Sequence, residues 1–115
     1  MRDTISDVFT ALGDLTRRRL YEQLLDAPRG ATATELAAKA LVSRQAIVKH
    51  LQVLTRSGLA TTRREGREVR YVVTSGGTSS ATTWLLDRAT AWDRRLVALE
   101  KQIQAASRRP RRTPR

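Results

Sequence analysis

The apolar residues in the first half of the chain recur every three or four positions, which is the spacing of one helical face. This pattern predicts four short helices. The first covers residues 3–12, and capping residues at Asp14, Thr34 and Ser43 start the other three. The fourth helix ends at Gly58, because glycine commonly terminates a helix. The third and fourth helices are separated by only a short break, as in a helix-turn-helix.

After the fourth helix, the pattern changes from a helical period to alternation. Residues 59–65 and 68–73 are β-prone and flank Gly66, which predicts a two-stranded hairpin. The side chains predicted to alternate inward are Val69, Tyr71 and Val73. The predicted fold class is mostly α with a small β-hairpin wing (α+β), a winged helix-turn-helix over residues 1–73.

A long C-terminal helix is predicted at residues 81–107, beyond a flexible linker at residues 74–80. Its apolar residues are spaced alternately by four and three positions, which is typical of a coiled coil. This apolar seam consists of Leu85, Ala89, Trp92, Leu96, Leu99, Ile103 and Ala106. The seam could pack on the first helix of its own chain or on a second copy, and both could hold. The basic residues 108–115 are predicted to be a disordered tail.

Composition narrows the class of partner. The 115 residues carry a net charge of +11 and have a pI of about 11.6, which favours DNA, RNA or an acidic membrane surface. The absence of cysteine excludes disulfides and thiolate metal sites. No segment resembles a signal peptide or a membrane span, so a cytoplasmic location is expected.

A turn of 100° per residue divides the predicted helix at residues 44–56 into two faces. The core side holds Ile47, Leu51 and Leu54. The polar side holds Gln45, Lys49, Gln52 and Arg56, flanked by Arg44 and Val48. Arginine, glutamine and valine can read bases in the major groove, whereas Lys49, Arg56 and Ser43 suit phosphates. A solvated surface face is the alternative. His50 lies at the border and is interpreted as a packing or phosphate-contact residue, since no second histidine or cysteine could share a metal.

The predicted hairpin is rich in arginine. Its basic residues are Arg63, Arg64, Arg67 and Arg70. A projecting basic turn of this kind can follow the DNA backbone or enter a narrow minor groove. Glu65 and Glu68 interrupt the positive run and are expected to orient neighbouring arginines. A solvated hairpin with incidental arginines is the alternative.

These segments together resemble the ArsR family of bacterial winged-helix regulators. The matching stretches are Val8–Leu25, Thr34–Ala60 and Arg63–Val73, and the combination of S-R-Q-A-I-V-K-H-L with G-L and R-E-G-R-E is specific. The resemblance implies a homodimeric transcriptional regulator, usually a repressor, that releases operator DNA when an effector binds. It implies DNA contacts at Ser43, Arg44, Gln45, Val48, Lys49, His50, Arg64 and Arg67. It also implies packed terminal helices of two subunits, with Ile5, Val8 and Phe9 joining the apolar seam in the dimer interface.

Departures from the family pattern concern the turn and the effector. Leu41 stands where many members have a turn glycine, so the turn must either strain a leucine or take another shape. The cysteines of the metal-sensing members are absent, which excludes thiolate-type sensing and leaves an oxygen-only site unsupported. Trp84 and Trp92 could line an effector pocket, although core packing is the commoner role. No metal or cofactor is predicted.

Two functions follow from the sequence. The first is a homodimeric, sequence-specific DNA-binding regulator, and the alternative is a non-specific architectural nucleic-acid-binding protein driven by the wing and the tail. An enzyme is unsupported, because the chain has one histidine and neither a nucleophile–base set nor a phosphate-binding glycine loop.

Overall fold

The computed structural model describes residues 3–108 and contains five α-helices and three β-strands in that range. In chain order they are α1 (Thr4–Leu12), α2 (Leu15–Leu25), β1 (Ala31–Thr32), α3 (Ala33–Ala38), α4 (Arg44–Arg56), β2 (Ala60–Glu65), β3 (Glu68–Val73) and α5 (Ser79–Arg108). The predicted fold class is confirmed. The chain divides into two compact units, Met1–Thr82 and Thr83–Arg115. No helix in the described range is both long and apolar enough to cross a membrane.

Side-chain caps start the four helices of the first unit. The capping residues are Asp3, Asp14, Thr32 and Ser43. Asp14 and Ser43 are as predicted, but the cap of α3 is Thr32 and not Thr34. Thr32 Oγ1 accepts a hydrogen bond from Glu35 N at 3.1 Å, and its hydroxyl lies 3.3 Å from Glu35 Oε1. The N-cap at Thr32 starts α3 two residues earlier than expected.

The three strands form one antiparallel sheet in the order β1-β3-β2. The hairpin of β2 and β3 runs from the pair Ala60–Val73 to the pair Glu65–Glu68, so the predicted wing is confirmed. Strand β1 was not predicted, because two residues are too few for an alternating pattern. Its Thr32 pairs with Arg70 of β3 and also begins α3, so the sheet is joined directly to the helix-turn-helix.

Positive φ angles among the described residues occur only at glycines. At Gly30 (φ 81°) a Cβ atom would lie 2.6 Å from the Tyr71 carbonyl oxygen, so β1 can approach β3 only through glycine. Gly58 (φ 83°) follows the end of α4, as predicted. Leu41 is fully exposed and has an ordinary φ, so the turn between α3 and α4 takes another shape and strains no leucine.

The core of the first unit draws on all four of its helices and on the sheet. Its largest members are Val8, Leu20, Leu24, Leu36, Ile47, Leu51, Leu54, Leu59 and Tyr71. Val8 is only 1% exposed, which leaves no side-chain surface for a second copy, so its prediction as an interface residue is wrong. Val69 was expected to face inward but is exposed, as is Leu25 of α2. Leu25 is turned 100° from Leu24, and Val69 lies towards the hairpin tip.

The apolar seam of α5 lies in the second unit, and its residues are exposed. The helix starts two residues before the predicted boundary and includes residue 108, which had been assigned to the tail. The rest of that predicted tail lies outside the described residues. Seam members Trp92 and Ile103 are 58% and 65% exposed within this chain. The Arg88 guanidinium lies 4.6 Å from the centroid of the Trp84 ring, a cation–π contact one turn apart.

Candidate nucleic-acid interface

Helix α4 is the second helix of the helix-turn-helix and presents a polar face to solvent. Ser43 Oγ caps it by accepting from Ala46 N at 3.2 Å. The side chains exposed along α4 are Arg44, Gln45, Lys49, Gln52 and Arg56. The opposite face is fully buried, so the division predicted for this helix into a core side and a polar side is present in the structure. The exposed set combines two arginines, a lysine and two amides, which can donate to base edges and phosphates.

Arg44 is held at the start of α4 by the preceding helix. Its Nε donates to Thr34 Oγ1 at 3.1 Å. A guanidinium has five N–H donors, so this bond leaves the two terminal nitrogens of Arg44 available to an acceptor outside the chain. The contact therefore positions the side chain without using up its donors.

A cavity of about 330 Å³ separates the start of α4 from the wing. Arg44 and Val48 of α4 line it on one side, and Arg67 and Tyr71 of the hairpin line it on the other. Val48 is half-buried and packs against the core, so its apolar surface is only partly open to a base. The fold thus brings together two arginines that are separated by 23 residues in sequence.

The later part of α4 faces a different cavity, of about 230 Å³. Gln52 and Arg56 line it together with Thr62 and Tyr71 of the hairpin. Along α4, Gln52 lies about two helical turns after Arg44, and Arg56 lies about three turns after it. The candidate interface extends along the whole helix and is not a single pocket.

Arg17 contacts His50 and was not singled out from the sequence. Its Nε and Nη2 donate to the carbonyls of Ala11 at 2.8 Å and Thr10 at 3.1 Å, and its Nη1 lies 3.4 Å from His50 Nδ1. Arginine can only donate, so this contact uses the Nδ1 lone pair and favours the tautomer protonated at Nε2. Arg17 thereby links the end of α1 to α4. No sequence signal distinguishes it from the two arginines that follow.

Glu65 neutralises two of the four wing arginines. Arg63 Nη2 lies 3.1 Å from Glu65 Oε1, and Arg70 Nε donates to Glu65 Oε2 at 2.8 Å. The expectation that Glu65 orients neighbouring arginines is therefore confirmed. Arg63 also donates to the Arg29 carbonyl at 3.1 Å.

Arg70, for which a DNA contact is predicted, has its guanidinium engaged by acceptors within the chain. Besides Glu65, its guanidinium reaches Glu35 Oε1 at 3.4 Å and the Gly30 carbonyl at 3.3 Å, and its side chain is only 23% exposed. The hydrogen bond that Arg70 donates to Glu65 is the main reason that the pKa of Arg70 is raised. With three acceptors inside the chain, Arg70 ties the wing to α3 and has little surface left for a phosphate.

Arg64 and Arg67 differ from the other two wing arginines. Both are exposed, and neither side chain has an ion-pair or hydrogen-bond partner among residues 3–108. They are therefore the two wing cations that remain uncompensated in this part of the chain. Across the same residues, no group of three or more histidine, aspartate or glutamate side chains could hold a metal ion.

Comparison with known proteins agrees with this geometry. Residues 12–63 match the family model described as a helix-turn-helix domain. Over 66 residues the chain is 39% identical to the uncharacterized HTH-type transcriptional regulator YuzN of Bacillus subtilis (strain 168), covering 52% of this chain and 71% of that protein. It is 35% identical to a probable mercury resistance operon repressor of Streptomyces lividans, covering 62% of this chain and 55% of that protein.

The fold is shared with a solved ArsR-like transcriptional regulator from Rhodococcus sp. RHA1. The TM-score is 0.72 at 36% identity, and the match covers 85% of this chain and 91% of that one. Two of these relatives are described as transcriptional regulators and the third as a probable repressor. With the winged helix-turn-helix geometry, this similarity shows that the chain belongs to the ArsR family of DNA-binding transcriptional regulators.

Proposed function

We propose that this regulator is a homodimer that reads a two-fold-related operator with α4 of each copy. The observation that carries the proposal is the exposed polar face of α4 beside a wing whose tip arginines are uncompensated. A capped helix of 13 residues is long enough to lie in the major groove, and the adjoining hairpin reaches the neighbouring backbone. Repression is the expected mode, since the Streptomyces lividans relative is described as a probable repressor.

The proposed contacts fall into two groups. Arg44 and Gln45, at the start of α4, read base edges, with Val48 offering its exposed methyl surface to a thymine. The phosphate contacts are assigned to Ser43, Lys49, His50, Gln52, Arg56, Arg63, Arg64 and Arg67. His50 and Arg63 keep only part of their donor capacity for DNA, because Arg17 and Glu65 already contact them.

The proposed dimer interface is the apolar seam of α5 with Ile5 and Phe9 of α1. Exposed large apolar residues on one helix face are costly in water, and a second copy would cover them. Two α4 helices would then meet two half-sites about one helical turn apart. Such a regulator would act on the chromosome, which places it in the cytoplasm of a bacterium.

Selection of bound sequences from a random DNA pool tests the proposal. We expect a pseudo-palindromic consensus, and a footprint with two protected half-sites. If about eight phosphates are contacted, log affinity should fall with log salt at a slope of about −7. Equal affinity for the selected operator and for a scrambled duplex of the same composition would contradict sequence-specific regulation.

Non-specific coating of nucleic acid is the second candidate, favoured by the net charge of +11. Its main cations would be the wing arginines and the tail. Deleting residues 109–115, which lie outside the described residues, should then remove most binding. Under specific regulation, the same deletion should weaken operator and scrambled DNA alike and leave their affinity ratio intact.

A further inference from the structure

A cavity of about 230 Å³ lies between α2 and the turn that joins α3 to α4, and none of the residues named in its lining is assigned to DNA. Thr16, Arg19, Leu20 and Gln23 of α2 line one side. The other side is formed by the end of α3, the following turn and α4, through Lys39, Ala40, Leu41, Val42 and Ile47. Buried Leu20 and Ile47 make the inner wall apolar, and exposed Leu41 and Val42 extend the apolar surface to the mouth.

The cavity carries positive charge that the chain does not neutralise. Arg19 and Lys39 are both exposed and come from different helical segments. Neither side chain makes an ion pair or hydrogen bond within residues 3–108. Two cations beside an apolar wall match a ligand that has one anionic group and an apolar body.

Gln23 supplies a second recognition element. Its side-chain Oε1 is buried and has no hydrogen-bond donor in the described part of the chain. Buried polar atoms in native proteins nearly always have a partner, so an orphaned acceptor in a cavity wall calls for one. A hydroxyl group on the ligand would satisfy this oxygen after a small rotation of the amide.

We propose that this cavity binds a small aromatic hydroxycarboxylate, which acts as the effector of the regulator. A cavity of 150 Å³ holds benzene, so about 230 Å³ accommodates one ring with its substituents. The carboxylate would pair with Arg19 and Lys39, the ring would contact the exposed apolar side chains of Leu41 and Val42, and the hydroxyl would meet Gln23. The regulatory half of this proposal rests on the proposed DNA-binding function, whereas ligand binding itself does not.

The position of the cavity explains how a ligand there would act on DNA binding. Leu41 and Val42 belong to the turn that leads into α4, and Ile47 is on α4 itself. A ligand wedged between α2 and this turn shifts the start of α4, where Arg44 and Gln45 lie. Coupling between the two sites is reciprocal, so DNA must weaken ligand binding by the same factor.

Calorimetric titration of the DNA-free full chain with 4-hydroxybenzoate tests binding. We expect benzoate, which lacks the hydroxyl, to bind more weakly and 4-hydroxybenzyl alcohol, which lacks the carboxylate, to bind weakest. The double variant Arg19→Gln/Lys39→Gln should lose about tenfold or more in affinity for 4-hydroxybenzoate. Arg29→Gln is the matched control, because it removes an exposed charge that does not line the cavity.

Two further variants separate the parts of the site. Ala40→Leu should fill the cavity and abolish binding while the circular dichroism melt stays cooperative. Gln23→Leu should keep benzoate affinity and remove the preference for 4-hydroxybenzoate over benzoate. No binding at millimolar concentration, or equal losses in Arg29→Gln and the double variant, would overturn the proposal.

The link to DNA is measured separately on the selected operator. Saturating 4-hydroxybenzoate should weaken operator binding by about fivefold or more, and Arg19→Gln/Lys39→Gln should remove the effect. Ligand binding with unchanged operator affinity would overturn the role as effector. Failure to select any operator would count against the proposed DNA-binding function and leave the calorimetric result standing.

Discussion

Arg70 and Glu65 form a diagonal ion pair across the two strands of the wing, with Arg70 Nε donating to Glu65 Oε2 at 2.8 Å. The same guanidinium lies 3.4 Å from Glu35 Oε1 in α3. The pair therefore joins the hairpin to itself and to the first helix of the helix-turn-helix. We therefore propose that Arg70 contributes to DNA binding by holding the wing in place and that the number of phosphates contacted does not depend on it.

Salt dependence distinguishes Arg70 from the exposed wing arginine Arg64. Replacing Arg64 by alanine should reduce the magnitude of the slope of log affinity against log salt by about 0.9 for each copy, because one phosphate contact is lost. Arg70→Ala should weaken operator binding but leave that slope close to the wild-type value. Fluorescence anisotropy at four or five salt concentrations measures both. An Arg70→Ala slope that falls as much as the Arg64→Ala slope would make Arg70 a phosphate ligand after all.

The hydrogen bond by which Thr32 caps α3 should contribute measurably to the free energy of unfolding. Thr32→Ala removes the side-chain acceptor of the Glu35 amide and should lower the free energy of unfolding by about 1 kcal/mol. Thr34→Ala is the matched control, because Thr34 is exposed and does not cap α3, and its effect should stay within about 0.5 kcal/mol. Urea unfolding followed by circular dichroism gives both values. Reversed magnitudes would place the start of α3 at Thr34.

If the apolar seam of α5 forms the dimer interface, a charge placed in it should halve the molar mass of the particle in solution. Leu96→Glu places a carboxylate in the middle of the seam and should convert a particle of twice the 12.9 kDa chain mass into one of the chain mass. Gln104→Glu introduces the same charge change outside the seam and should leave the dimer intact. Light scattering after size-exclusion chromatography reads out both variants. A monomeric wild-type chain at micromolar concentration would refute the proposed interface.

Asp14 should make the free energy of unfolding depend on pH in the acidic range. The backbone hydrogen bond from Arg17 is the largest cause that lowers the pKa of this carboxyl below its ordinary value. Because the pKa is lower in the folded state, the stabilisation is present above the ordinary aspartate pKa and is lost as pH falls through the folded pKa. Asp14→Asn keeps a capping oxygen without this titration, so the stability advantage of the wild type should shrink on acidification. An advantage that is the same at neutral and acidic pH would contradict this assignment.

The structure confirms the sequence predictions that rest on local periodicity. Ile47, Leu51 and Leu54 share one helical face in the sequence, and all three are fully buried. The alternation around Gly66 likewise gives the hairpin with its ends within one residue of the prediction. These patterns are local, because helix and strand geometry alone decide which side chains share a face.

Contacts between elements could not be predicted in the same way. Arg17, Arg18 and Arg19 are consecutive, yet Arg17 reaches α1 and His50, Arg18 donates to the Leu12 carbonyl, and Arg19 lines the cavity behind the turn. Their roles depend on the phase of α2 relative to the elements packed around it. The contact of Arg70 with Glu35 could not be predicted for the same reason, because Glu35 is distant in sequence and is brought near by the pairing of β1 with β3.

Thr32 is at once the end of a strand, the cap of α3 and the register partner of Arg70. The wing and the helix-turn-helix are therefore joined at one residue. We expect this connection to keep the distance between α4 and the wing fixed. In the proposed binding mode, a DNA site whose groove spacing differs from the distance between α4 and the wing has to deform. The energy of that deformation depends on the DNA sequence. We expect base substitutions between the α4 and wing contacts to change affinity although no side chain touches them, which an operator series would measure.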